Sequence, residues 1–181
     1  MKRRSFLRTL AGCVPAAVLP QALARQAQEM PLAVQVQPLG AHQDRTGTPH
    51  SLGFSTILFR VTTAQSEGRV FLMEHQQMLS NKGPNLHLHT DLEEWFYVLE
   101  GEIAFQVGDR RLVLKSGESV LGPRMVPHSF ASVGELPGRL LIGFTPAGRM
   151  EQYFVDGPKK WSSRPEGYYG TRDIGPSPFW K

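Results

Sequence analysis

From Gly53 onward the chain is a succession of short apolar runs with period-two alternation, separated by turn residues: FSTILFRVT, GRVFLMEHQQM, EEWFYVLEG, EIAFQVGDRRLVLKSG, ESVLGP, HSFASVGE and RLLIGFTP. Side chains on a strand point alternately to opposite faces, so such runs read as half-buried strands. About seven strands spaced roughly 8 to 12 residues apart predict an antiparallel sandwich or barrel. Gly108-Asp109, between EIAFQV and RRLVLK, has the character of a two-residue hairpin turn. Beyond the N-terminus no window shows the 3.6-residue period of an amphipathic helix. The 14 prolines and 18 glycines are dispersed, in keeping with many turns and short elements. Residues 25–52 are polar and turn-rich and read as an N-terminal arm; residues 53–149 form the barrel. Residues 150–181 hold aromatics and prolines without a period, a tail that packs on the barrel, covers its mouth or exchanges between subunits, and the pattern does not choose among these.

Charge changes the picture at one end only. The sequence pI is about 9.5, with 20 basic residues against 16 acidic ones. Four of the basic residues, Lys2, Arg3, Arg4 and Arg8, stand in the first 24 residues, which contain no acid, so the remainder is neutral. This argues against a nucleic-acid partner, because phosphate binding needs a concentrated basic face. The leader MKRRSFLRTLAGCVPAAVLPQALA has a basic start, an apolar middle broken by Pro15 and Pro20, and the cleavage signal Ala22-Leu23-Ala24. Its middle is too short and interrupted for a transmembrane span, which needs about 20 apolar residues. RRSFL resembles the twin-arginine export motif, a general secretory signal being the alternative, and either implies a periplasmic or secreted protein cut near Ala24. LAGC has the look of a lipoprotein box, but Cys13 follows Arg8 too closely for a normal apolar core. Cutting after Ala24 removes Cys13, the only cysteine, and leaves no thiolate for a disulfide or a metal.

The chemistry concentrates in HLHTDLEEWFYVLEG, residues 87–101. His87 and His89 share one strand face, and in the next strand Glu94, Phe96 and Val98 share another, with Trp95, Tyr97 and Leu99 opposite and Glu93 outward. His128, framed by Pro123 and Pro127 in GPRMVPHSF, begins a strand whose alternate residues Phe130 and Ser132 point the same way. Imidazoles and a carboxylate converging from several strands suit one divalent transition metal per chain: Fe, Mn, Ni, Cu, Co or Zn. His75, on the face of Phe71 and Met73, reads as a hydrogen-bonding residue or as one supporting the metal from outside its ligand set.

Residues 83–101 and 117–132 resemble the two motif segments of the cupin superfamily. His87, His89, Glu94 and Gly101 fit the first, with four and then six intervening residues; Gly117, Pro123 and His128 fit the second. Asn81, Met125 and Ser132 depart from it, without loss of a metal ligand; Asn81 can still occupy a left-handed turn, a task Gly83 could also serve. The resemblance implies a single cupin-type antiparallel β-barrel, jelly-roll-like, that forms a homodimer. The Glu before FYVLEGE, the VPHSF segment and the closing FTPAG are similar to bacterial quercetinase-like proteins. That likeness implies an O2-dependent dioxygenase opening a flavonol or related enol, with Glu94 as the proton acceptor. The substrate pocket is then expected from Phe71, Phe96, Val98, Met125, Phe130 and Leu141, taking an apolar or aromatic small molecule. A metal-dependent isomerase or lyase of a sugar or hydroxy acid, or a binding cupin without turnover, would use the same ligands.

The leader makes a direct prediction: the exported protein has the mass of a chain beginning at Arg25. Replacing Arg3 and Arg4 together by Lys is expected to leave uncut precursor, measurable by mass spectrometry of cell fractions.

Overall fold

Period-two alternation is realised as eleven strands among the described residues. They are β1 (His50–Ser51), β2 (Thr56–Val61), β3 (Phe71–Met78), β4 (Leu86–His89), β5 (Glu93–Glu100), β6 (Glu102–Val107), β7 (Arg110–Lys115), β8 (Ser119–Gly122), β9 (His128–Ser132), β10 (Gly138–Thr145) and β11 (Thr171–Gly175). The structure is a computed structural model that describes residues 37–179. The leader expected over residues 1–24 with its Cys13, the first part of the arm, and Trp180 lie outside these residues. From Leu39 onward the chain forms one compact unit. One sheet runs β1-β2-β3-β10-β5-β8 and the other β11-β4-β9-β6-β7, with antiparallel neighbours throughout. Their inner faces enclose the core of a single jelly-roll barrel. No helix among the described residues is long and apolar enough to cross a membrane.

The central strand of the first sheet shows how alternation builds the interior. On β10, Leu140 stands opposite His75 and Val98, Ile142 opposite Met73 and Phe96, and Phe144 opposite Phe71 and Glu94. All the apolar residues in these rows are buried. Phe96 packs against Phe105 and Phe130 with ring centroids 5.2 and 5.5 Å apart, tilted arrangements that aromatic quadrupoles favour. Leu141, expected inward, instead stands opposite Glu74 and Tyr97 on the outer face. From Leu140 to Phe144 the pairing on both sides is uninterrupted, so Leu140, Ile142 and Phe144 take the inner face and Leu141 between them takes the outer one. On that same outer side Glu74 is buried and accepts hydrogen bonds from Arg139 Nε at 3.0 Å and Gln76 Nε2 at 2.7 Å. The Gly108-Asp109 turn forms as expected, joining Val107 to its partner Arg110, and the charged strand β7 ends its sheet.

Both flanks of the barrel are ordered by specific contacts. In the arm, buried Asp44 accepts from the Phe59 amide at 2.6 Å, and Arg60 Nη1 donates to the carbonyls of Gly40 and Gln43. The tail, aperiodic in sequence, carries α1 (Met150–Asp156), α2 (Pro158–Trp161) and β11. Met150 and Phe154, four residues apart on one helix face, are the buried apolar side chains of α1. Gly157, at φ +66°, ends α1, and Pro158 opens α2 where its missing N–H costs nothing. Asp156 accepts from Tyr169 Oη and Gln152 Nε2, both at 2.8 Å, and so ties the end of α1 to the segment before β11. A helix this short lacks the periodic run that would reveal it, and its stability comes from packing.

Three positions in the ligand-bearing loops depart from simple expectation. Asn81 takes the left-handed turn at φ +55°, whereas Gly83 does not have positive φ. Gly83 is required for close approach, since a Cβ there would stand 1.8 Å from the Phe130 carbonyl oxygen. Met125 has φ +63°, and its amide donates to the His89 carbonyl at 2.7 Å, so the turn forms despite the missing glycine. Gly83→Ala is expected to destabilise the fold by about 3 kcal/mol through this backbone clash. Gly175→Ala, where an added Cβ meets nothing within 4 Å, should stay within about 0.5 kcal/mol of the parent in the same urea titration.

Candidate metal centre

The four residues singled out by spacing meet in space. His87 and His89 come from β4, Glu94 from β5 and His128 from β9, and their potential ligand atoms all lie within 4.8 Å of one another. Glu94 Oε2 is 2.9 Å from Nε2 of both His89 and His128, and 3.8 Å from Nε2 of His87. His87 and His128 stand opposite each other on adjacent strands, with rings 4.7 Å apart. His89, Glu94 and His128 are buried to 3% exposure or less, and His87 keeps 9%.

The outer ring nitrogens determine what the inner ones present. His87 Nδ1–H donates to the Asn85 carbonyl at 2.8 Å and His128 Nδ1–H to the Val126 carbonyl at 2.9 Å. A carbonyl can only accept, so both Nδ1 atoms carry protons. His89 Nδ1 lies 3.1 Å from Thr171 Oγ1, whose hydroxyl donates to Met150 Sδ and leaves its oxygen to accept. Neutral rings in these tautomers turn three Nε2 lone pairs toward one carboxylate oxygen. Acceptors facing acceptors need a positive charge between them, supplied by a proton or by a metal. Bonds of roughly 2.0 to 2.2 Å from one ion would reach atoms that lie this close together. The donor set therefore fits a single divalent metal of mixed nitrogen and oxygen preference, without selecting which.

Protonation follows the same geometry. Burial would push the Glu94 carboxyl up, but hydrogen bonds with His128, His87 and His89 outweigh it and hold the group well below the usual carboxylate range. Burial pulls His87 down, and is overcome by the hydrogen bond and charge of Glu94, so its pKa is raised. At His89 burial prevails and the pKa falls. The Glu94 charge thus acts unequally on its neighbours: it raises the proton affinity of His87, which keeps some exposure, and is outweighed by burial at His89.

His87, His89 and Glu94 lie on the wall of a cavity of about 230 Å³. Its apolar lining includes Leu52 from the arm, Phe54, Met73, Phe130 and Phe144 from the barrel, and Phe154 from α1. Of the expected pocket residues, Phe130 reaches the cavity. Phe71, Phe96 and Val98 are buried in the core behind it, Leu141 faces out, and Met125 is 56% exposed because its left-handed turn carries the side chain away. The tail adds Tyr153, Trp161, Thr171 and Asp173, with Tyr153 and Trp161 stacked at a centroid distance of 4.0 Å. Sequence reasoning missed these tail residues because no period or spacing marks them. β11 places Thr171 opposite His89 and Asp173 opposite His87, so the tail closes over the candidate centre.

Residues 75–144 match the cupin domain family. The barrel is a cupin fold. An RmlC-like cupin from Shewanella frigidimarina superposes with a TM-score of 0.53 at 19% identity, covering 66% of this chain and 96% of that one. The oxalate decarboxylase of Lactobacillus farciminis, in its formate complex, gives a TM-score of 0.50 at 16% identity, covering 70% of this chain and 33% of that one. An uncharacterized protein of Methanocaldococcus jannaschii is 30% identical over 56 residues, 31% of this chain; the match spans 45% of that relative. The matched domain runs from His75 on β3 to Phe144 on β10 and contains all four clustered residues.

His75 contributes a pH dependence of its own. Burial lowers its pKa to about 4, against the Glu94 charge that acts to raise it. The folded protein therefore holds it neutral while the unfolded chain titrates near 6.5. Its contribution is fully present above pH 6.5, is lost as pH falls toward 4, and then levels off, a change of up to about 3 kcal/mol. The stability difference between wild type and His75→Gln, measured by urea unfolding from pH 7 to 4, is expected to shift by that order in favour of the variant.

Proposed function

We propose that this cupin binds one divalent transition metal through His87, His89, Glu94 and His128, and acts as an O2-dependent dioxygenase on a small enol or aromatic compound. The observation that carries this reading is the three inward Nε2 atoms around Glu94 Oε2, opening on a largely apolar cavity. A bound divalent metal would supply Lewis acidity toward a substrate oxygen and a place for dioxygen beside it.

The chain's own residues do the rest. Glu94, the ionised carboxylate on the cavity wall, accepts the proton of the substrate hydroxyl. Phe54, Phe130, Phe144 and Phe154 exclude water and hold the flat body of the substrate. Asn85, Val126 and Thr171 hold the imidazoles in one tautomer throughout. Cavity size narrows the substrate class. At about 230 Å³ the cavity is below the roughly 300 to 1,000 Å³ of sites for drug-sized ligands, which favours a single-ring enol over a complete flavonol. Among the described residues lining it there is no lysine or arginine, which weighs against an anionic sugar acid as substrate for an isomerase or lyase.

The test is elemental analysis of the purified protein beside a His87→Ala, His128→Ala double variant, with oxygen consumption followed on a flavonol and on single-ring enols. About one metal per chain is expected, lost in the double variant together with oxygen uptake. Metal binding without uptake on any of these compounds would reject the dioxygenase reading, and absence of metal from the wild type would reject the centre. Glu94→Gln is expected to lower turnover by at least about 100-fold, the scale on which a positioned general base acts.

A further inference from the structure

We propose that His75 determines ligand specificity: its Nε2–H, oriented by Ser55, donates a hydrogen bond to a carbonyl-type oxygen on an otherwise apolar ligand in the cavity. The inference takes the cavity as the ligand site, as above, but does not depend on the metal.

His75 sits on β3 and lines the cavity, yet it is not among the four clustered residues. Its strand position is level with Leu140, whereas Glu94 is level with Phe144, two inward positions away along β10. The imidazole is held on three sides. Phe54 stacks on one face with a centroid distance of 5.5 Å and an interplanar angle of 10°, and Phe130 meets the ring edge-on at 5.6 Å. Ser55 Oγ lies 2.5 Å from Nδ1, and both residues are buried. His75 lines the cavity, and with Nδ1 engaged by Ser55 its other ring nitrogen, Nε2, is the polar atom left for a ligand.

The serine determines what that nitrogen offers. We assign the direction in which Ser55 gives its hydroxyl proton to Nδ1, the hydrogen-bond partner it has there, so that the neutral ring carries its own proton on Nε2. Burial, which lowers the His75 pKa to about 4, keeps the ring neutral at physiological pH. The cavity thus has a fixed N–H donor set among phenyl groups, separate from the acceptor-rich cluster around Glu94. A donor in apolar surroundings rejects ligands that leave it unpaired and favours those that bring an acceptor. The ligand class is a compact aromatic or aliphatic body with an oxygen acceptor, a ketone or ester carbonyl being the best match.

Acetophenone and ethylbenzene, similar in size and differing in the carbonyl, are suitable probes for titration calorimetry on the protein as purified and after chelator dialysis. Wild type is expected to bind acetophenone roughly three- to tenfold more tightly than ethylbenzene in both states. Persistence after chelation separates this preference from any contact with a metal. His75→Phe is expected to abolish the preference while retaining ethylbenzene binding, which itself reports that the cavity survives. Ser55→Ala, which leaves the ring in place and frees its tautomer, should reduce the preference and carries the test alone if His75→Phe does not fold. Equal affinities in wild type, no binding of either probe to wild type, or a preference unchanged in these variants would overturn the proposal.

Discussion

A single carboxylate oxygen, Glu94 Oε2, stands within 2.9 Å of two imidazole nitrogens and 3.8 Å of a third, and the barrel is arranged around that convergence. Glu94 belongs to the first sheet, while His87, His89 and His128 belong to the second, so the cluster joins the two layers. An isolated charge so deeply enclosed would be strongly unfavourable, and it is tolerated because its partners supply positive charge and hydrogen bonds. The backbone provides the next layer of support. Asn85 and Val126, each two residues before the histidine it contacts, give carbonyls that hold Nδ1 protonated and Nε2 inward. Close backbone approach is part of the same arrangement, since a side chain at Gly83 would collide with the Phe130 carbonyl beside the cavity.

The aromatic interior serves both stability and chemistry. Phe96, Phe105 and Phe130 form the contact between sheets, while Phe130 and Phe144 also face the cavity. Low polarity there strengthens every interaction of Glu94 and makes any unpaired polar group costly. It also accounts for the contrast between His75 and His87. Both are buried beside the same cavity, but His87 contacts Glu94 and gains proton affinity, whereas His75 contacts Ser55 and phenyl rings and loses it. The tail completes the enclosure by bringing Thr171 to His89 and the stacked Tyr153 and Trp161 to the wall.

Much of the barrel and the site was legible in the sequence because strand geometry is strictly periodic. His87 and His89 share a face by parity, Glu94 shares one with Phe96 and Val98, and the prolines around His128 mark the start of its strand. The turns at Gly108 and Asn81 follow from residue types that tolerate positive φ. What failed concerns where side chains point. On β10 Leu140 and Leu141 are both apolar, so residue type alone does not choose between them, and alternation with Ile142 and Phe144 puts Leu141 outside. At Met125 a left-handed turn interrupts the alternation, and the side chain stands in solvent.

The sequence by itself determined the strand-rich architecture, the four-residue cluster and the residue types that could hold a metal, since these rest on alternation and spacing along one chain. Only tertiary structure decided the tautomers of the histidines, the size of the cavity and which phenylalanines line it. It also decided the place of the tail. Residues 150–179 have no repeating pattern, and their two helices and one strand exist through contacts with a barrel whose strands lie far away in sequence: Asp173 stands beside His87, and Thr171 bonds His89. Such contacts depend on how surfaces meet after the barrel has closed, and no local signal in the chain carries that information.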